Sequence, residues 1–456
     1  MSEQANAATT ARLLSGWGRT APTRAAVTAP LDEPELRRLV SAAGPRGVVA
    51  RGLGRSYGDA AQNSGGAVVE LSDFDQIQLD ADTGFVRVGA GVSIDQLLRR
   101  VLPRGWFVPV TPGTRMISIG GAIAADVHGK NHHVDGTFGA HVVEIELLDA
   151  DGETRLLSPT QNSIDFWLTV GGMGLTGIIT AATVRLLPVT SSCMRVDTER
   201  ATDLDDLMSR MITGDDNYRY TVAWIDCVAG GKSLGRGVLT RGDHADIDEL
   251  PATKRRDALA FDPKVRLGIP PMVPGGLLNR ATIAAFNEMW FRKAPKAKFG
   301  DYQRVGTFFH PLDGVRNWNR AYGPRGFLQY QFVVPLAEAD VVRVAIERLR
   351  QVPAPSFLAV LKRFGAANAA PLSFPTPGWT LALDVPAGIR DLSVALTELD
   401  EVVAAAGGRI YLAKDSRLRS DLLATMYPQL AEWRAGRDRL DPSHRFTSDL
   451  ARRLAL

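Results

Sequence analysis

"ARGLGRSYGDAAQNSGG" (residues 50–66) follows at once on the β-branched run "GVVARG" (47–52) and sets Gly52, Gly54 and Gly58 in one tight loop. Glycine tolerates positive φ and lets backbone N–H groups converge, so such a loop can form an anion nest for a pyrophosphate. The spacing is GxGxxxG and no ordinary amphipathic helix follows, so this is not the dinucleotide fingerprint of a doubly wound sheet. Taken alone, the loop could equally serve only as a turn.

Two further glycine-rich stretches lie outward from it, "PGTRMISIGGAIAADVHG" (112–129) and "LTVGGMGLTGIITAATVRL" (168–186). Between them the period-2 runs "AVVEL" (67–71) and "FVRVGAG" (85–91) predict strands. "SIDQLLRRVL" (93–102) predicts a helix capped by Ser93, with Ile94, Leu97, Leu98 and Val101 as its apolar stripe. "HVVEIELLDADGETRLLS" (141–158) reads as a hairpin turning at Asp151-Gly152. Strands and helices mix without regular βαβ alternation, which predicts an α+β fold.

The length of 456 residues exceeds one ordinary core and predicts two domains. A net charge of +3 gives no reason to invoke nucleic acid, and Cys193 and Cys227 read as two buried reduced thiols. "MSEQANAATTARLLSGWGRT" lacks the apolar core of a secretory signal and a twin-arginine pair, and no apolar run reaches the length of about 18 residues a membrane span needs. The expectation is a cytoplasmic protein or one peripheral to the plasma membrane. Near residue 195 the character changes to strands such as "YRYTVAWIDCV" and "GFLQYQFVVP" with the helix "ADVVRVAIERLRQV". Within 263–300, Pro263, Pro270, Pro271, Pro274 and Gly275-Gly276 are expected to break regular structure. That stretch holds seven Lys/Arg against the single acid Glu288, beside Trp290 and Phe291, and is expected to be a mobile, membrane-facing loop.

Three glycine-rich segments with strands between them resemble the vanillyl-alcohol-oxidase-type (PCMH-type) FAD flavoproteins. That resemblance implies an FAD-binding domain at 1–195, a substrate domain on an antiparallel sheet at 196–410, and a C-terminal segment, 411–456, returning to the FAD domain. The first loop reads Gly54-Arg55-Ser56-Tyr57, without the histidine that holds flavin covalently in several relatives, so the FAD is expected to be non-covalent. "HGKNHH", "LQYQFVVP", "PLSFPTPGW", "YLAKDSR" and "DLARRL" extend the resemblance, chain-wide, to the branch that oxidises decaprenylphosphoryl ribose.

By that resemblance the FAD contacts fall on Arg51, Gly52, Leu53, Gly54, Arg55, Ser56, Tyr57, Gly58, Asp59, Ala60 and Ala61 in the first loop. They continue on Gly113, Ser118, Ile119, Gly120, Gly121, Ala125, Asp126, Val127 and His128, then Ile179 and Tyr411. Lys130, Trp224, Gln329, Gln331, Lys362, Phe364, Thr380 and Ala382 would line the substrate site. Lys414, on an alternating strand end in "IYLAK", with His128 or Tyr57, would handle the proton of a ribose 2′-hydroxyl as its carbon is oxidised to a ketone. A separate NAD(P)H-dependent keto-reductase would then complete epimerisation to the arabinose form used in cell-wall arabinan, and contact with the membrane, its periplasmic side included, follows from the lipid substrate. An alditol or sugar-lactone oxidase of the same superfamily is the alternative enzyme, and a non-catalytic flavin subunit the alternative of another class.

His128 and His132 have the spacing of a zinc helix, but Gly129 intervenes and the glutamate of HExxH is missing. The expectation is no metal; a structural histidine and an active-site edge remain the alternatives. The branch often carries Asn and Cys where this chain has Thr380 and Ala382, so the thiol that nitroaromatic suicide inhibitors modify is replaced here.

Overall fold

Hydrophobic alternation builds three large sheets, beside two two-stranded ones. The computed structural model describes residues 8–456 apart from Arg266, Ala354, Pro355 and Phe357, so Arg266 of the basic stretch lies outside the described residues. The first sheet runs Thr10–Leu14, Thr23–Thr28, Ala67–Glu70, Val48–Arg51, its last three strands parallel. The second is antiparallel and runs Ile77–Leu79, Phe85–Gly89, Ile178–Arg185, Val142–Leu148, Thr154–Leu157. Ser93 caps the helix Ile94–Val101 in a capping box with Gln96, and its Ile94, Leu97, Leu98 and Val101 stripe is buried. The 142–157 hairpin turns through Gly152 at φ +84, where a side chain would be strained.

The third sheet is antiparallel and eight-stranded. Its order is Ala297–Arg304, Cys193–Ala201, Gly237–His244, Tyr220–Ile225, Ala359–Phe364, Gly378–Pro386, Phe327–Val334, Arg409–Ile410. Alternation divides its residues between two faces. Ala223, Ile225, Leu361, Leu381, Leu383, Tyr330 and Phe332 join a core with the helices Leu204–Gly214, Asp340–Leu349 and Leu392–Ala405. The residues between them point the other way and build the site. Cys193 and Cys227 are buried and unpaired.

The 263–300 stretch departs from its reading. Among its described residues the first half holds only the two-residue strand Leu267–Gly268, as the prolines predict. Its second half forms the fourteen-residue helix Arg280–Lys293, started by an Asn279–Thr282 capping box and anchored by buried Ile283 and Asn287. The prolines all precede this helix, so they do not interrupt it. Past the eight-stranded sheet, Ser420–Met426, Leu430–Leu440 and Asp449–Leu454 are helices, the first two separated at Pro428. The tail then lies beside the first sheet: Val48 N–H donates to Arg445 O (2.8 Å) and Thr447 N–H to Val48 O (3.0 Å). Among the described residues no helix is long and apolar enough to cross a membrane.

Candidate active site

The first glycine loop is closed by Arg51, whose guanidinium donates to Ala61 O (2.8 Å) and Ser15 O (2.9 Å). It is packed from both sides. A Cβ on Gly52 would stand 1.9 Å from Ser118 Oγ, and one on Gly58 would stand 2.0 Å from Asp415 O; Gly54 adopts φ +62. Among the described residues, the N–H groups of Gly54, Arg55, Ser56 and Gly58 have no protein acceptor, and the buried Arg55 Nε has no partner. Unspent donors beside a guanidinium form a concavity suited to a pyrophosphate. Leu53 is exposed, Ala60 is buried, and Asp59 is paired to Arg453 (2.8 Å) of the C-terminal helix.

Ser118 caps the short helix Ile119–Ala124, accepting from Gly121 N–H, while Ile119 and Gly120 donate to Val92 O and Ala90 O. The third glycine segment pins this helix: Gly171 N–H donates to Ile123 O and Met173 N–H to Ala124 O. Asp126, at φ +40, turns its buried carboxylate to Ser373 Oγ (2.5 Å), Asn368 Nδ2 (2.7 Å) and Gly139 N–H (3.0 Å). Its side chain is therefore a latch, and only its backbone is left for a cofactor. Tyr411 OH donates to Ala125 O (2.8 Å), with its ring stacked on Phe374 at 4.6 Å. Val127 N–H donates to Ala122 O, and Ile179 pairs with Leu147 inside the second sheet. Gly113 has nothing within 4 Å of a Cβ position and leaves its loop open there.

Strand register then gathers the predicted substrate residues. Trp224 pairs with Val360, Val360 with Ala382, and Ala382 with Gln331. The next rows pair Lys362 with Thr380 and Gln329 with Asp384. Directly opposed residues share a face, so Trp224, Lys362, Phe364, Thr380, Ala382, Gln329 and Gln331 line one surface. Against it sits His128: Nδ1 lies 2.9 Å from Lys362 Nζ, Nε2 lies 3.0 Å from the Gln331 amide, and the ring meets Phe364 at 4.8 Å. Burial, reinforced by the Lys362 charge, holds His128 neutral, far below the usual histidine range. His132 opens a separate helical turn, accepts from Gly365 N–H (3.2 Å) and is pushed down to about 3 by burial.

Three half-buried lysines converge. Lys130 Nζ donates to Phe308 O (2.5 Å) and sits over the Phe308 ring at 4.2 Å; burial pushes it down to about 7. Lys362 is likewise pushed down to about 7, by burial and then by Lys414 and Lys130. Lys414 Nζ sits 3.9 Å over the Tyr57 ring; burial lowers its pKa, opposed by the charge of Asp384. Burial raises both the Tyr57 hydroxyl and the Asp384 carboxyl. The strand-end reading of Lys414 is corrected: pairing stops at Ile410, and Lys414 occupies a turn, its N–H donating to Tyr411 O. The sheet edge ends there because the chain must bend back to meet Tyr57, whose N–H donates to Ala413 O (3.0 Å). Asp384 and Tyr322 were missed by the sequence reading; an acid two residues beyond Ala382 on the same strand was the available signal.

A nest of unspent N–H groups facing a wall of lysines and amides defines an FAD-binding oxidoreductase. Residues 24–158 match the FAD binding domain family, and residues 394–454 match the D-arabinono-1,4-lactone oxidase family. The chain is 46% identical to decaprenylphosphoryl-β-D-ribose oxidase of Mycolicibacterium smegmatis, over 98% of both chains. It is 26% identical to alditol oxidase of a Streptomyces species (97% of this chain, 98% of that one). Identity falls to 22% with L-gulono-1,4-lactone dehydrogenase of Mycobacterium tuberculosis (96% and 98%). The chain belongs to the decaprenylphosphoryl-β-D-ribose oxidase family.

Proposed function

We propose that the protein oxidises the 2′-hydroxyl of decaprenylphosphoryl ribose to a ketone, using FAD held without a covalent bond. The observation that carries this reading is the single sheet face bearing Trp224, Lys362, Gln329 and Gln331 opposite Lys414 and His128, in a chain 46% identical to an oxidase of that name. The residues present fit the cofactor: the 51–61 loop offers unspent donors for a pyrophosphate, and Ser118–Gly121 with Tyr411 flank it. The first loop has no histidine or cysteine to which flavin could be attached. FAD, when bound, accepts the hydride released from the carbinol carbon.

The chain's own residues do the rest. Lys130 and Lys362 supply cations for the phosphate, and Gln329 and Gln331 supply amides for the sugar hydroxyls. Lys414, poised by burial toward its neutral amine, receives the hydroxyl proton at Nζ, and neutral His128 fixes Lys362 from the flank. The two-part organisation, with an FAD-binding unit up to 195, a substrate unit to 410 and a tail returning to the first, serves this division of labour. The keto product requires a hydride donor to become the epimer, which assigns the second half-reaction to a separate nicotinamide-dependent reductase. Exposed Met289, Trp290 and Phe299, close in sequence to Lys293 and Lys296, favour a lipid substrate met at a membrane over a soluble alditol.

Anaerobic mixing with a polyprenylphosphoryl ribose tests the reading: the flavin should bleach and the sugar should lose two hydrogens. Bleaching by alditols alone would replace it with the alditol-oxidase reading. Acid precipitation should leave the yellow colour in solution; colour in the pellet would refute non-covalent binding.

A further inference from the structure

Asp384 shares the site face without a part in the proposed chemistry, yet its carboxylate is fully buried. A buried carboxylate persists only where donors surround it. Two side chains do so here: Gln329 Nε2 donates to Oδ1 at 2.5 Å, and Tyr322 OH donates to Oδ2 at 3.3 Å. Its backbone is fixed as well, since Asp384 N–H donates to Ser356 Oγ at 3.1 Å. The same two partners lead back to Lys414. Tyr322 stacks on Phe327 with centroids 4.2 Å apart, Phe327 meets Tyr57 edge-on at 5.4 Å, and the Gln329 side chain meets the Tyr57 hydroxyl. Tyr57 carries Lys414 on its face. Asp384, Tyr322, Phe327, Tyr57 and Gln329 thus close a ring of contacts beneath the Lys414 side chain.

We propose that Asp384 is a positioning residue: it locks the Gln329 amide nitrogen-inward, so that the amide donates both to the carboxylate and to the Tyr57 oxygen and the ring under Lys414 is held in place. An ionised carboxylate only accepts hydrogen bonds, so it permits one of the two amide orientations and repels the other. An asparagine of the same shape has no such preference, because it donates as readily as it accepts. Burial raises the Asp384 carboxyl, and the Gln329 hydrogen bond leads the contacts that favour its ionised form, which is consistent with this polarity.

The first test needs no substrate. In the FAD-loaded protein, one proton of the Gln329 side-chain amide, assigned by its loss in Gln329→Leu, should resonate well downfield of free glutamine amides. It should return toward them in Asp384→Asn. The second test is kinetic and rests on the oxidase reading. Asp384→Asn and Gln329→Leu should each slow substrate-driven flavin reduction by roughly 10- to 100-fold, the cost of a small misplacement at the reacting centre. The double variant should be no slower than Gln329→Leu alone, because Asp384 acts through Gln329. Multiplying effects, or an amide proton unmoved in Asp384→Asn, would overturn the proposal. If Asp384→Asn does not fold, the wild-type signal still decides, since an unshifted amide pair contradicts the lock. If the native enzyme shows no flavin reduction, the oxidase reading fails while the amide signal judges Asp384 on its own.

Discussion

Lys362 Nζ lies 2.9 Å from His128 Nδ1, and the two cannot both be charged at that distance inside the protein. Burial lowers both, Lys362 to about 7 and His128 much further, so the pair carries its single positive charge on the lysine. With Nδ1 accepting from the ammonium, the imidazole proton belongs on Nε2, where it requires the Gln331 amide, 3.0 Å away, to turn its oxygen toward the ring. Lys362→Ala removes a charge that depresses His128, so the His128 pKa should rise in that variant, visible in its imidazole NMR titration. Loss of a charge-assisted contact to the substrate phosphate should raise KM by roughly 10- to 100-fold, from about 1.5–3 kcal/mol. In the native enzyme Lys362 loses its proton as pH rises through about 7, so KM should climb on the alkaline side. A KM that is flat across that range would contradict this use of Lys362.

Lys414→Ala should keep FAD and lose substrate-driven reduction by roughly 10²- to 10⁴-fold, the usual worth of a positioned base. The FAD is expected to stay because Lys414 Nζ only rests on the Tyr57 ring and is none of the unspent N–H donors of the 51–61 loop. Burial moves Lys414 toward the neutral amine, which is the form that takes a proton, so reduction should slow as pH falls below its lowered pKa. Stopped-flow reduction at an unchanged rate would remove Lys414 from the proton path.

Ala382 stands half-buried on the site face, opposite Gln331 on one side and Val360 on the other. No thiol shares this face, since Cys193 and Cys227 are buried elsewhere. Nitroaromatic inhibitors that need a cysteine there should leave this protein unmodified, whereas Ala382→Cys should gain one adduct during turnover. Intact-mass spectrometry reads both outcomes, and an adduct on the native chain would defeat the argument.

Much of this was legible beforehand because it rests on local rules. The Ser93 cap, the Asp151-Gly152 hairpin and the alternation of "GFLQYQFVVP" need only neighbours a few residues away. Long-range register was not legible: nothing local says that Trp224, Ala382 and Gln331 share one row, and here the family resemblance supplied the residue set. Asp384 escaped for the same reason, since its meaning comes from Gln329 and Tyr322 on other segments. The Arg280–Lys293 helix escaped because the prolines before it dominated the reading of the whole stretch.

That helix changes how the basic segment meets a membrane. Phe291 lies beneath Arg236 (4.6 Å) and Arg200 (5.2 Å), so it serves the protein's own surface and is not a headgroup anchor. Arg292 is paired with Glu288, and Lys298 with Asp301 (2.7 Å), which reduces the charge they present. Lys293 and Lys296 remain exposed beside Trp290 and Met289 and carry the expectation. At roughly 1 kcal/mol per cation near an anionic surface, Lys293→Gln with Lys296→Gln should weaken sedimentation with phosphatidylglycerol vesicles by about thirtyfold. Arg292→Gln with Lys298→Gln should do much less, because both charges are already countered. Deleting Gly268–Ala281, which removes the proline-rich approach to the helix, should raise KM for a long-chain substrate more than for a short-chain analogue. Equal vesicle binding in both double variants, with equal KM effects on the two substrates, would reduce the segment to an ordinary surface loop and helix.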